Sequence, residues 1–219
     1  MEIFDRFIQI VNGVEEPVIF EFGTCDGQHT NIMCSILKQM NKKFKYHAFE
    51  ADYRIIPNFW RNNSNHVMNI RLNEAAIGNT DGVVTFNLSG GVESREGHFK
   101  QAFYGSSSIR KPAKVNTSEG WPDMTFEETT VRCYKFDTYY NEVKPGIIDF
   151  IWADVQGAEV DLIDGGQEAL SRTRYFYTEY SNDELYQGEI GLEEIMKKLP
   201  GWSLVEDYGG DVLLKNDNL

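Results

Sequence analysis

Residues 18–30, Val-Ile-Phe-Glu-Phe-Gly-Thr-Cys-Asp-Gly-Gln-His-Thr, compress a strand, a turn and a helix start into one short stretch. The apolar run reaches an acid at Glu21, turns on Gly23 and Gly27, and passes into a segment where Ile32, Met33, Ile36, Leu37 and Met40 share a helical face. A glycine turn between a strand and a helix N-terminus is a cradle for nucleotide-type ligands, because backbone N–H groups can approach the ligand there. The rest of the chain reads as the sheet that holds this turn and the pocket that faces it.

Residues 2–12 carry Ile3, Phe4, Phe7, Ile8 and Val11 at helical spacing, and Asn12-Gly13 ends them. Residues 45–50 form a second strand, again closing on an acid, Glu50. Ile55, Ile56, Phe59 and Trp60 give the next helical stripe, and residues 67–72 a third strand. Strands alternating with short helices predict a parallel sheet covered on both faces. A strand at 83–88 follows with no helical unit before it, and 89–125 read as a long segment rich in Gly, Ser, Thr and Pro with embedded aromatics. A loop of that length inside a compact domain is either disordered or functional, and the aromatics favour function.

The alternation resumes with a strand at 131–136, a nearly continuous apolar strand at 147–154, a helix carrying Val160 to Leu170, and a strand at 175–180. Leu192, Ile195, Met196 and Leu199 give a helical face stopped by Pro200-Gly201. Residues 202–205 and 211–214 flank a Gly-containing turn and predict an antiparallel hairpin. The expected fold is α/β, a Rossmann-like three-layer sandwich of the class I methyltransferase type, its mostly parallel seven-stranded sheet ending in an antiparallel C-terminal hairpin. Residues 1–219 read as one domain, with a loop-rich insertion at about 79–130 as a substrate lid.

Two bulk properties narrow the function. A net charge of −13 argues against a nucleic-acid polymer as partner, because phosphate neutralisation needs clustered Lys and Arg. Cys25, Cys34 and Cys133 are an odd count without metal-type spacing, which favours a reducing, cytoplasmic setting and reads Cys25 as a small filler of the turn. Residues 1–6 do not have the make-up of a signal peptide, and no apolar run approaches the ~18 residues of a membrane span. The three N-x-S/T matches at Asn62, Asn87 and Asn116 are expected by chance in an Asn-rich chain.

The turn also discriminates between cofactors. NAD wants G-x-G-x-x-G, whose second glycine lets backbone approach a pyrophosphate. Here Cys25 takes that place, with Glu21 and Asp26 close by, so a pyrophosphate would meet carboxylates where it needs N–H groups. S-adenosylmethionine has no phosphate and carries an ammonium and a sulfonium, which acids suit. Glu50, at the end of the second strand, stands where an acid would accept hydrogen bonds from ribose hydroxyls.

Taken together, these stretches resemble the FkbM-type methyltransferases, S-adenosylmethionine-dependent enzymes that methylate hydroxyls. The resemblance rests on Phe20 to Gly27, Ala48 to Ala51, Asn73 to Gly78, Ser106 to Ser108, Tyr134 to Tyr139 and, most specifically, Ile148 to Glu159, and it spans about 17–180. The last stretch is similar to the family's I-D-x-x-K-x-D-V-E-G-x-E pattern. It departs in two places: Trp152-Ala153 stands for K-x, and Gln156 for the usual Glu. The resemblance implies a cofactor set of Glu21, Gly23, Thr24, Gly27, Glu50, Ala51, Ala76 and Asp154, and an acceptor that is a carbohydrate or other small metabolite.

Transfer to a neutral hydroxyl needs a base for its proton. Asp154, at the end of a central strand, is the leading candidate. Glu179 and His98 rank behind it, while His29 reads as packing beside the cofactor and Glu159 as suiting a helix dipole. Asp154, Glu179 and Asp183 could act as oxygen ligands for Mg²⁺, but such groupings arise easily in so acidic a chain and no metal site is assigned. Arg110-Lys111-x-x-Lys114 would fit an anionic acceptor, or form a solvated basic patch. Methylation at nitrogen of a small molecule or nucleotide, and a cofactor-binding module without turnover, remain alternatives.

Overall fold

The computed structural model describes residues 1–93, 101–102, 104–113 and 124–219. In chain order, α1 (Ile3–Asn12) precedes β1 (Val18–Phe22), α2 (Gln28–Gln39), β2 (Lys45–Phe49), α3 (Ile56–Asn62) and β3 (Ile70–Asn73). Four strands follow: β4 (Ala76–Gly78), β5 (Gly82–Glu93), β6 (Gln101–Ala102) and β7 (Met124–Lys135). After them come α4 (Phe136–Val143), β8 (Ile148–Ala153), α5 (Glu159–Asp164), α6 (Gln167–Ser171) and β9 (Thr173–Glu179). The described chain closes with α7 (Leu192–Lys198), β10 (Trp202–Asp207) and β11 (Asp211–Asn216).

The main sheet has seven strands in the order β10-β11-β9-β8-β1-β2-β3. β9, β8, β1, β2 and β3 run parallel, while β11 is antiparallel to both β9 and β10. This is the expected class I methyltransferase sheet. The hairpin does not simply follow the parallel strands: its second strand is inserted next to β9, and its first lies at the edge. Every residue of β1 and β8 is buried, as strands covered on both faces require.

Alternation along these strands feeds two cores. Phe20 and Phe22 point to the side of Phe136, Tyr139, Leu162 and Ile163. Ile19, Tyr46, Phe150 and Trp152 point to the opposite side, against Phe7 and Val11 of α1 and Met33 and Leu37 of α2.

Three elements differ from the sequence reading. The third strand starts at Ile70, paired with Tyr46, and leaves Val67 and Met68 exposed in the preceding turn. The helix expected across Val160 to Leu170 is two helices, broken at Gly165. A Cβ there would lie 2.0 Å from the Gly78 carbonyl oxygen, so the break lets β4 pass. The expected loop at 89–125 is in part a two-stranded arm, because β5 and β7 stay in register out to Gly91 and Met124. With β4 and β6 they make a second, four-stranded sheet. The base of the arm matches the strands expected at 83–88 and 131–136; farther out, where Ser89 and Gly90 pair with Phe126 and Thr125, there is no apolar period to read. Among the described residues, no helix is long and apolar enough to cross a membrane.

Candidate active site

The glycine turn is tied to the neighbouring strand ends. The N–H groups of Gly23 and Thr24 both donate to the carbonyl of Phe49 at the end of β2, at 3.0 and 3.1 Å. On the other side, the N–H of Asp154 donates to the carbonyl of Phe22 at 3.0 Å, which extends the β1–β8 ladder by one step. The turn visits the left-handed region three times, at Gly23, Cys25 and Gly27, with φ of 79°, 50° and 77°. Gly23 needs its missing side chain because the backbone beyond β8 lies against it. Gly27 needs it because Phe59 and Asn63 of the α3 region press there instead.

Beyond the strand ends lies a cleft. Gly23, Cys25, Glu50, Ala51 and Ala76 line one side, Asp154, Val155 and Gln156 another, and Tyr104, Ser107 and Ile109 face them. Of the sequence-predicted residues, Gly23, Glu50, Ala51, Ala76 and Asp154 therefore meet in one place. Glu21, Thr24 and Gly27 are not among the lining residues. His98 lies outside the described residues, as do Phe99, Phe103 and Lys114.

Glu50 is buried, and each of its oxygens accepts a backbone N–H at 2.7 Å, one from Cys25 and one from Asp52. Burial raises its pKa to about 7, against the opposing pull of those N–H groups. A carboxylate has about four acceptor positions, so two remain for ligand hydroxyls. Glu21 sits one strand away with its side chain on the α2 face, where it accepts from Thr30 at 2.5 Å and from the Tyr46 hydroxyl. Burial again dominates and raises its pKa to about 7. Its position supports the turn from beneath. The hydroxyl of Thr24 is buried without a hydrogen-bond partner in the structure. Cys25 lines the cleft, yet burial raises its thiol to about 12, so it stays protonated and is no nucleophile.

Asp154 ends β8 facing an acidic neighbourhood. Burial raises its pKa, and burial together with the Asp154 charge raises that of Glu179. Between the two side chains lies the amide of Gln156, which donates to Asp154 Oδ1 at 2.5 Å and to Glu179 Oε2 at 3.1 Å. Glu159, in the first turn of α5, is buried and accepts the Val155 N–H at 3.1 Å, and burial raises its pKa to about 8. Asp183 takes part in a local turn with Ser181. Among the described residues, no group of three or more His, Cys, Asp or Glu side chains is placed to hold a metal ion.

In the cation-bearing segment, Arg110 is already engaged: it pairs with Asp161 at 2.5 Å and donates to the Gln187 carbonyl at 3.0 Å. Trp152, at the family's lysine position, stacks on Phe4 of α1 at 5.7 Å between ring centroids and packs at 4.5 Å from His29 and 4.4 Å from Tyr177.

Sequence reasoning passed over the polar wall opposite the glycine turn. Arg54 makes a two-point contact with Asp52, donates to the Ser89 carbonyl at 2.7 Å, and holds its guanidinium 4.6 Å over the ring of Tyr104. The hydroxyl of Ser107 donates to Asp52 at 3.0 Å. Asp52 and Arg54 followed Glu50 closely and Ser107 lay in a serine run already singled out, but only the fold brings them together across the cleft.

A family model described as the methyltransferase FkbM domain matches residues 21–210. The chain is 36% identical over 218 residues to the 2-O-methyltransferase NoeI of Sinorhizobium fredii, covering 96% of this chain and 85% of that protein. The solved structure of the methyltransferase FkbM from Methylobacillus flagellatus superposes with a TM-score of 0.52 at 13% identity, which is a likeness of fold. That match covers 92% of this chain and 44% of the solved one, so the chain spans less than half the length of that structure.

Proposed function

This chain belongs to the FkbM methyltransferase family, and from that premise we propose that it moves a methyl group from S-adenosylmethionine to a hydroxyl of a small-molecule or carbohydrate acceptor. The observation that carries the reading is the pairing of Glu50 and Asp154 across one cleft beside the glycine turn. Glu50 suits a ribose, and Asp154 beside the glycine turn suits a cationic cofactor without phosphate. The relative's name supplies the hydroxyl as acceptor group.

The residues present fit that cofactor. Glu50 keeps two acceptor positions for ribose hydroxyls, Ala51 and Ala76 leave room beside it, and the unpartnered Thr24 hydroxyl has hydrogen-bonding capacity to spare. S-adenosylmethionine, when bound, supplies a methyl group already activated by its sulfonium. The chain's own task is then to hold the acceptor in line, exclude water and take one proton. Asp154 accepts the acceptor's O–H proton as the oxygen–carbon bond forms. Tyr104 and Ser107, on the facing wall, contact the acceptor. Glu179 acts behind Asp154.

In this reading the β5–β7 arm and the strands around it are one functional unit with the sheet, and the arm's base carries the acceptor wall. The three cysteines are unpaired in the structure, which fits a reducing compartment such as the cytoplasm.

Isothermal titration with S-adenosylmethionine and, separately, with NAD tests the proposal. Saturable binding of the first alone is expected. Binding of NAD with no heat from S-adenosylmethionine would overturn it.

A further inference from the structure

Gln156 is held in the left-handed backbone region with φ of 54°, although it is not glycine. Such strain persists where surrounding contacts fix it, and functional sites are where it concentrates. The contacts here are specific to an amide. Nε2 donates to Asp154 and Glu179, at 2.5 and 3.1 Å, while Oε1 lies 3.2 Å from the hydroxyl of Tyr186. That hydroxyl has a single proton, which it shares between Oε1 and the nearer Ser106 carbonyl at 2.8 Å, on the segment that walls the acceptor side. Tyr186 packs on Gly157, where an added Cβ would come 2.6 Å from the Tyr186 Cβ and 2.9 Å from its ring. The two acids, helped by this shared phenol proton, fix which end of the amide faces them. A carboxylate at this position would set a second anion against the one the pair carries, and an apolar side chain would remove the amide donor that bridges the two acids.

The groups facing Asp154 leave few other sources of help. Acids face it from β1, α5, β9 and β11, in Glu21, Glu159, Glu179 and Asp211. Cys25, Tyr177 and Tyr186 add a thiol and two phenols, all held neutral by burial. Among the described residues, His29 of α2 is the facing group that can carry positive charge, and burial lowers its pKa.

We propose that Gln156 is a positioning residue that aims the Asp154 carboxylate into the cleft and keeps it free to accept a proton, with Tyr186 as the latch that orients the amide. The inference rests on the reading of Asp154 as the base. In this chain the change from the family's Glu to Gln replaces an anion with the donor that the Asp154–Glu179 pair needs. Glu179 holds the proton the pair shares, Asp154 stays ionised, and a proton taken from the acceptor has one defined place to go.

The test needs neither cofactor nor acceptor. The carboxyl carbons of Asp are labelled with ¹³C and titrated by NMR in the ligand-free protein, with Asp154→Asn assigning the resonance. In Gln156→Met the Asp154 midpoint moves upward by about one pH unit, because a donor to the ionised form is gone. Gln156→Glu moves it in the same direction. Tyr186→Phe, which keeps the ring on Gly157, gives a smaller upward move and serves if the Gln156 variants fail to fold. An unmoved midpoint in a folded Gln156→Met protein, or in Tyr186→Phe where Gln156→Met does not fold, overturns the proposal. Because turnover is not measured, this outcome is independent of whether Asp154→Asn abolishes methyl transfer, which tests the base itself.

Discussion

Gly23 lies so close under the main-chain carbonyl of Asp154 that a Cβ added to it would fall 1.8 Å from that oxygen. The glycine turn and the end of β8 are thus fitted to each other through an absent side chain. Gly23→Ala adds the cost of a left-handed backbone for a residue with a Cβ, about 1–2 kcal/mol, and forces the two turns apart. We expect a fall in melting temperature of roughly 4 °C or more and loss of measurable S-adenosylmethionine binding. Thermal unfolding and titration calorimetry check both, and a variant that binds normally would show that the turns are not coupled in this way.

Glu50→Gln keeps the size of the side chain but turns one acceptor oxygen into a donor facing the N–H of Cys25 or Asp52. Hydrogen bonds to a charged group contribute about 1.5–3 kcal/mol, so cofactor affinity should fall by about ten- to a hundredfold. Calorimetry at fixed pH reads this directly. Undiminished affinity would remove Glu50 from the ribose.

Asp154→Asn keeps the hydrogen-bonding shape at the end of β8 and removes the proton acceptor. General-base catalysis contributes about 10²–10⁴, so single-turnover methyl transfer from radiolabelled cofactor to metabolite and glycan pools should fall by that factor, with cofactor binding retained. Full transfer would exclude Asp154 as the base.

Burial also gives the ligand-free protein a characteristic pH dependence. Glu21 and Glu50 are raised to about 7 and Glu159 to about 8, all above the ordinary carboxylate range. Between pH 4.5 and 8 these acids therefore hold more protons in the folded chain than in the unfolded one, and the stability they contribute falls as pH rises; His29, His47 and His66, lowered by burial, oppose this below about pH 6.5. Melting temperature measured from pH 6 to pH 8.5 should decline without cofactor. A flat or rising profile would mean that these acids are ionised in the folded protein at neutral pH.

Much of this site was readable from residues alone, and the failures have physical causes. Glu50 was readable because an acid at the end of the strand after a glycine turn has few other positions to occupy. Glu21 carried the same mark, yet the two-residue alternation of β1 turns it toward Thr30 and Tyr46, and strand parity decides that. Arg110 looked like a free cation until the fold set Asp161 against it. Gln156 read as a departure from a family pattern, and its value depends on Glu179 and Tyr186, distant residues that no spacing rule connects to it. The seven-stranded sheet was legible because buried parallel strands are nearly continuous apolar runs. The outer half of the arm was not, because Ser89, Gly90 and Gly91 there pair with Phe126, Thr125 and Met124 and give no apolar run to read.

Trp152 offers a test of how this chain has settled its other departure. Its ring is buried between Phe4, His29 and Tyr177. Trp152→Lys restores the residue type of the family pattern but removes that packing, and large-to-small changes of this kind cost about 3–5 kcal/mol. A drop of roughly 6–15 °C in melting temperature is expected. An unchanged melting temperature would mean that α1 contributes no packing energy through this ring.

The seating of β11 between β9 and β10 has a consequence for how the molecule assembles. β10 is made first but, among the described residues, is hydrogen-bonded into the sheet only through β11, so it joins the ladder only when residues 211–216 pair with β9. During synthesis the N-terminal strands can collect while Trp202–Asp207 waits, and the final step of folding is an insertion rather than an addition. Removing those six residues would release twelve, because the edge strand would lose its only hydrogen-bonded neighbour in the sheet.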